Sequence, residues 1–199
     1  QVLTTAAAGR DRTLVRRANG GGGLAAGNGA STGPRLVWVP NGSFNPTTSG
    51  TAAASNPIGT IYVAFESTSS NLAGTDANGA SDVFRAAIEL RAEEDEDGGA
   101  LVGGLNLRYL DGATVLCSAV NGTSTAGNGA STRASIGGAD AATIAFQSTS
   151  TNLIAGFTDG NAAGSDVFVR RTGSSATLLV SHAVGGNATG GNGASEAPT

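Results

Sequence analysis

Two loops carry side chains suited to chemistry. Residues 76–82 read DANGASD. A hard cation such as calcium takes several oxygens, and Asp76, Asn78 and Asp82 offer three around a turn that Gly79 permits. The pattern is part of a calcium-binding loop in which Gly74 stands in the place of the first carboxylate. A second loop carries Asp159, Asn161 and Asp166 at a wider spacing. The same residues have a second chemistry. Asp and Asn side chains accept hydrogen bonds from backbone N–H groups two residues on and so close turns. Asp82 and Asp166, each directly before Val-Phe, suit that capping role. The first reading makes these six residues a Ca2+ set, and the second makes them loop caps.

Other chemistries find less material. The single His182 and single Cys117 fall in strand segments, at repeat positions that take Arg or Ser in the other copies, and no His stands near Cys117 to activate a thiolate. No catalytic residue is therefore assigned, and the Ser/Thr-rich STS segments are not expected to hold a nucleophile. Gly20–Gly23 is followed by no Lys-Ser/Thr, so it is not read as a phosphate cradle. The net charge is −4, and five of the fifteen acids sit together at residues 93–97. The ten others face eleven arginines, which leaves no basic footprint for nucleic acid. The acidic run reads as a solvated loop tip. One Cys excludes an internal disulfide, and no apolar run approaches the ~18 residues of a membrane-spanning helix.

The elements that must position these loops are written more than once. GNGAS occurs at 27–31, 127–131 and 191–195. AF-x-STS-x-NL occurs at 64–72 and 145–153, and SDVF at 81–84 and 165–168. Short apolar runs, TLV at 13–15, TVL at 114–116 and TLLV at 177–180, precede each GNGAS. A repeat of this kind decides the fold. In its compact copy the strands are expected at 134–137, 143–148, 166–171 and 176–184, short and bounded by turn residues. The first copy is longer through two insertions, 40–57 and 88–108. Within the second insertion, FRAAIELR is expected to form a hairpin with LNLRYL (105–110) and not a helix. Phe65, Phe84, Phe146 and Phe168, paired between copies, are expected to anchor the core, and Trp38 to pack in a core or interface.

The ordered string TIAFQSTSTNL…GSDVFVRRTGSSATLLVSHAVGGNATGGNGAS resembles the TolB-like β-propeller repeats of bacterial secreted and surface proteins. The resemblance covers residues 58–84, 111–195 and the short segment 12–31. Gly138-Ala139-Asp140-Ala141 departs from it, standing where the family has an Asp-Gly turn. The resemblance implies an all-β fold of tandem four-stranded antiparallel propeller-like blades. Residues 1–33 would then be an N-terminal strand and Gly-rich loop, 34–130 a first blade and 131–199 a second. Two blades cannot close a ring, and open edges invite pairing with other chains. The strand at 12–19 would serve as a donor to a neighbour. The function expected is a non-enzymatic extracellular or cell-surface structural protein that self-associates into an oligomer or filament. The alternatives are a module that binds a glycan or a surface protein through the inserted loops, and an accessory domain of a larger hydrolase.

Overall fold

The structure is a computed structural model and describes residues 27–42, 57–94, 101–109, 114–162 and 164–199. The expected donor strand at 12–19, most of the insertion at 40–57 and the acidic residues 95–97 lie outside the described residues. The described residues form nine strands and no helix. They are β1 (Ser31–Pro40), β2 (Gly59–Ser67), β3 (Asp82–Glu94), β4 (Leu101–Tyr109), β5 (Val115–Leu116), β6 (Ser131–Gly137), β7 (Thr143–Ser148), β8 (Asp166–Arg171) and β9 (Ala176–Leu179).

Two antiparallel sheets result. The first runs β1-β2-β3, and the far side of β3 is shared by β5 at its start and β4 along its extension; the second runs β6-β7-β8-β9. Neither sheet closes on itself. The hairpin expected in the second insertion is present, with Leu90 opposite Leu107 and Ile88 opposite Tyr109. The insertion is therefore an outgrowth of β3 beyond the repeat. The chain then returns to β5, where Leu116 faces Phe84 as Leu179 faces Phe168 in the second sheet.

The last strand is shorter than the expected 176–184. The N–H groups of Val180 and Ser181 both donate to the Val167 carbonyl, which makes a bulge that ends pairing. Cys117 and Ser118 do the same at Val83. This equivalence places Ser118 with Ser181, Cys117 with Val180 and Ala119 with His182. The sequence reading that set both Cys117 and His182 opposite a Ser of the other sheet is therefore off by one residue.

Strand periodicity gives each sheet two faces. In the second sheet Ile144, Phe146, Phe168 and Leu179 point one way and are buried. They press on Ala64, Val83 and Cys117 of the first sheet, small side chains against large ones, in a single cluster. Phe146 and Phe168 stack at 6.0 Å, as Phe65 and Phe84 do at 5.8 Å. The core thus sits within and between two stacked sheets. Trp38, on the outermost described strand β1, is 39% exposed, and its ring lies over Gly59 of β2.

Candidate functional site

The repeated polar motifs meet one another. GNGAS and STS-x-NL lie far apart in sequence, and the fold closes them into one clasp. In the first sheet Asn28 N–H donates to Asn71 Oδ1 and Asn28 Nδ2 to Ser70 Oγ, while Ser70 N–H returns a bond to Asn28 Oδ1. Gly29 N–H donates to Ser69 Oγ, and Ser31 Oγ meets Ser67 Oγ at 2.9 Å. The second sheet repeats the set with Asn128, Asn152, Thr151, Ser150, Ser131 and Ser148. The glycines are required by close approach. A Cβ on Gly129 would lie 2.8 Å from Ser150 N and from the Thr149 carbonyl, and one on Gly127 2.4 Å from Ser150 Oγ. The string Gly29-Ala30-Ser31-Thr32-Gly33 matches G-x-S-x-G. Its serine opens β1 within the clasp and not a strand-to-helix elbow.

Both predicted metal loops are brought together as single units. Asp76 Oδ1 accepts from Asn78 N–H at 3.4 Å, and Asn78 Oδ1 from Ala80 N–H at 2.7 Å. Asn78 Nδ2 donates to Asp82 Oδ2 at 2.9 Å and to the Gly127 carbonyl at 2.7 Å. Two acceptors fix the orientation of that amide, so its nitrogen and not its oxygen faces the carboxylate. Ser118 Oγ donates to Asp82 Oδ1 and accepts from Val83 N–H. The second loop is a looser version: Asp159 Oδ1 accepts from Asn161 N–H at 2.9 Å, and Asn161 Nδ2 lies 3.5 Å from Asp166 Oδ2. Ser181 Oγ donates to Asp166 Oδ1 at 2.8 Å. Asn161 Oδ1 is buried and has no hydrogen-bond partner among the described residues.

Asp82 is fully buried, and that burial pushes its carboxyl from 3.8 up to about 6, against the lowering pull of the Ser118 and Asn78 hydrogen bonds. Burial raises the Asp166 carboxyl as well. Among the described residues no three His, Cys, Asp or Glu side chains gather as a metal-binding group. Cys117 is buried in the inter-sheet cluster, and burial pushes its thiol up to about 12. His182 is exposed, with Nδ1 3.0 Å from the Ala183 carbonyl.

The joint between the sheets holds residues that sequence reasoning missed. Arg170 is buried and donates to the Thr123 carbonyl at 2.7 Å and to Thr177 Oγ1 at 2.8 Å. Thr177 Oγ1 in turn donates to the Ala119 carbonyl, and Thr177 N–H to Asn121 Oδ1. Three backbone staples complete the joint: Ser131 N–H to the Ser81 carbonyl, Gly127 N–H to the Ser118 carbonyl and Arg133 N–H to Glu66 Oε1. Arg133 adopts a left-handed φ of 54° to make the last one. A signal for Arg170 was present: it shares the inward parity of Phe168 along DVFVRR. No protein-family model matches the chain, and neither a curated protein nor a solved structure is found to be similar to it.

Proposed function

We propose that the chain is a non-enzymatic structural protein of an extracellular or cell-surface assembly, built by stacking propeller-like blades of the TolB-like kind. One observation carries this reading: each full copy of the repeated polar motifs is consumed in a clasp, a latch or a joint between sheets. The Asp/Asn loops act as latches in this reading and need no calcium. The family assignment rests on the order of motifs, and the surface location follows from it.

The same reading makes the chain self-associating. β1 is ten residues long and is the outermost strand of the first sheet, with Leu36 62% exposed and Trp38 39%. Pro34 and Pro40 bound a five-residue window, Arg35–Val39, whose outer edge has no strand against it among the described residues and would pair with β1 of a second copy. Such a two-fold contact covers Leu36 and Trp38 on both copies. Light scattering behind a sizing column is expected to give a mass above the 19.3 kDa of one chain, rising with concentration. Leu36→Pro, which removes an outward N–H on the edge where Pro34 and Pro40 already have none, is expected to return it to one chain. A monomer at every concentration overturns self-association.

A further inference from the structure

We propose that the outer face of the second sheet, with residues 191–199 laid along it, is the acceptor for one further four-stranded sheet of the same repeat, entered from residues 191–199. This deepens the structural reading above and rests on it.

The joint between the two sheets is made of parts that can be checked off at the far side. Ser195 N–H donates to the Ser165 carbonyl at 2.7 Å, as Ser131 does to Ser81. Gly191 N–H donates to the Ser181 carbonyl at 3.0 Å, as Gly127 does to Ser118. Ala197 N–H donates to Gln147 Oε1 at 3.0 Å, as Arg133 does to Glu66, and Ala197 takes the same left-handed φ, 53° against 54°. All three staples of the joint are therefore set a second time. Residues 195–199 lie on the second sheet where the start of β6 lies on the first.

The other half of the joint has no counterpart among the described residues. Asn28 and Asn128 are locked into their clasps by an STS-x-NL loop, and Asn192 is exposed with no such loop against it. Cys117 is fully buried, and its equivalent Val180 is 53% exposed. Leu178 beside it is 61% exposed. Asn121 is gripped by Thr177 of the second sheet, and its equivalent Val184 is fully exposed. Leu178 and Val180 on the outer face, with Val184 a few residues beyond the strand end, are large apolar side chains left exposed, the mark of a surface that is covered in use. The occupant must supply an STS-x-NL loop for Gly191–Ser195 and a face of paired Phe for Ala145, Val167 and Val180. A further copy of this repeat does both.

The test uses Val180→Cys, which places a thiol at the position of Cys117 on an exposed site. In the 199-residue chain this thiol is expected to label at the rate of an open cysteine while Cys117 stays silent. The comparison chain carries the same substitution and is extended in frame after Thr199 by a copy of residues 136–190, which contains no Cys. There the new thiol is expected to slow at least about a hundredfold, with a gain of strand signal in circular dichroism. Unchanged labelling, or an extension digested by protease as an unfolded tail, overturns the proposal. Concentration-dependent protection of the thiol in the unextended chain overturns it too, since the occupant is then a second copy. None of these outcomes depends on self-association through β1.

Discussion

Replacing Gly129 by alanine is expected to lower the unfolding free energy by about 3 kcal/mol, a larger loss than most single-methyl additions cause. The added Cβ runs into the Thr149–Ser150 peptide group: Thr149 C, Thr149 O and Ser150 N each lie at 2.8 Å. A flexible side chain could swing away, but a strand end held by the clasp cannot. Gly129 N–H would also be pushed off Ser150 Oγ, and Asn128 off Asn152. For a chain of this size the loss lowers Tm by roughly 10 °C. Gly173→Ala is the control, because nothing lies within 4 Å of its added Cβ. That change is expected to be neutral or to stabilise by about 0.5 kcal/mol. Thermal melts of both variants check the pair. Equal melting of the two would mean that the clasp does not hold the fold.

Asp82 makes stability fall as pH rises from about 4 to about 6. Its folded carboxyl is raised to about 6 from 3.8 by burial, so in that window the folded chain holds a proton that the unfolded chain has released. Folding is then penalised progressively, by roughly 3 kcal/mol once pH passes 6. Other carboxylates add their own slopes, so the clean quantity is the difference between the native chain and Asp82→Asn. The variant has no proton to lose and is expected to gain on the native chain by about that amount between pH 4 and pH 7. Urea unfolding at four pH values measures it. A difference running the other way would mean that the ionised carboxylate is the favoured form, which is the behaviour of a loop holding a cation.

The repeat made much of this legible. Thr143–Ser148 and Asp166–Arg171 are strands with the expected bounds, because β-branched and aromatic alternation and flanking turn residues agree there. The hairpin of β3 and β4 was legible because FRAAIELR has an apolar partner of matching length in LNLRYL. The end of β9 was not, since a bulge depends on one carbonyl accepting twice and leaves no mark on residue type. The six Asp and Asn residues were correctly grouped into two loops, but which atom of Asn78 faces Asp82 is set by the Gly127 carbonyl, 49 residues away. The joint itself was the least legible part. Arg170 looks like surface charge until the carbonyls of Ala119 and Thr123 are brought to it by the other sheet.

The most direct measurement is the labelling rate of Cys117 in the native chain with a thiol reagent. Its sulfur lies in the cluster that joins the sheets, beside Phe146 and Phe168, and burial keeps it protonated. With the sheets stacked, labelling is expected to be at least about a thousandfold slower than in urea, with Gly129→Ala raising the rate in step with its loss of stability. Rapid labelling while circular dichroism still reports intact strands would show that the two sheets do not stack.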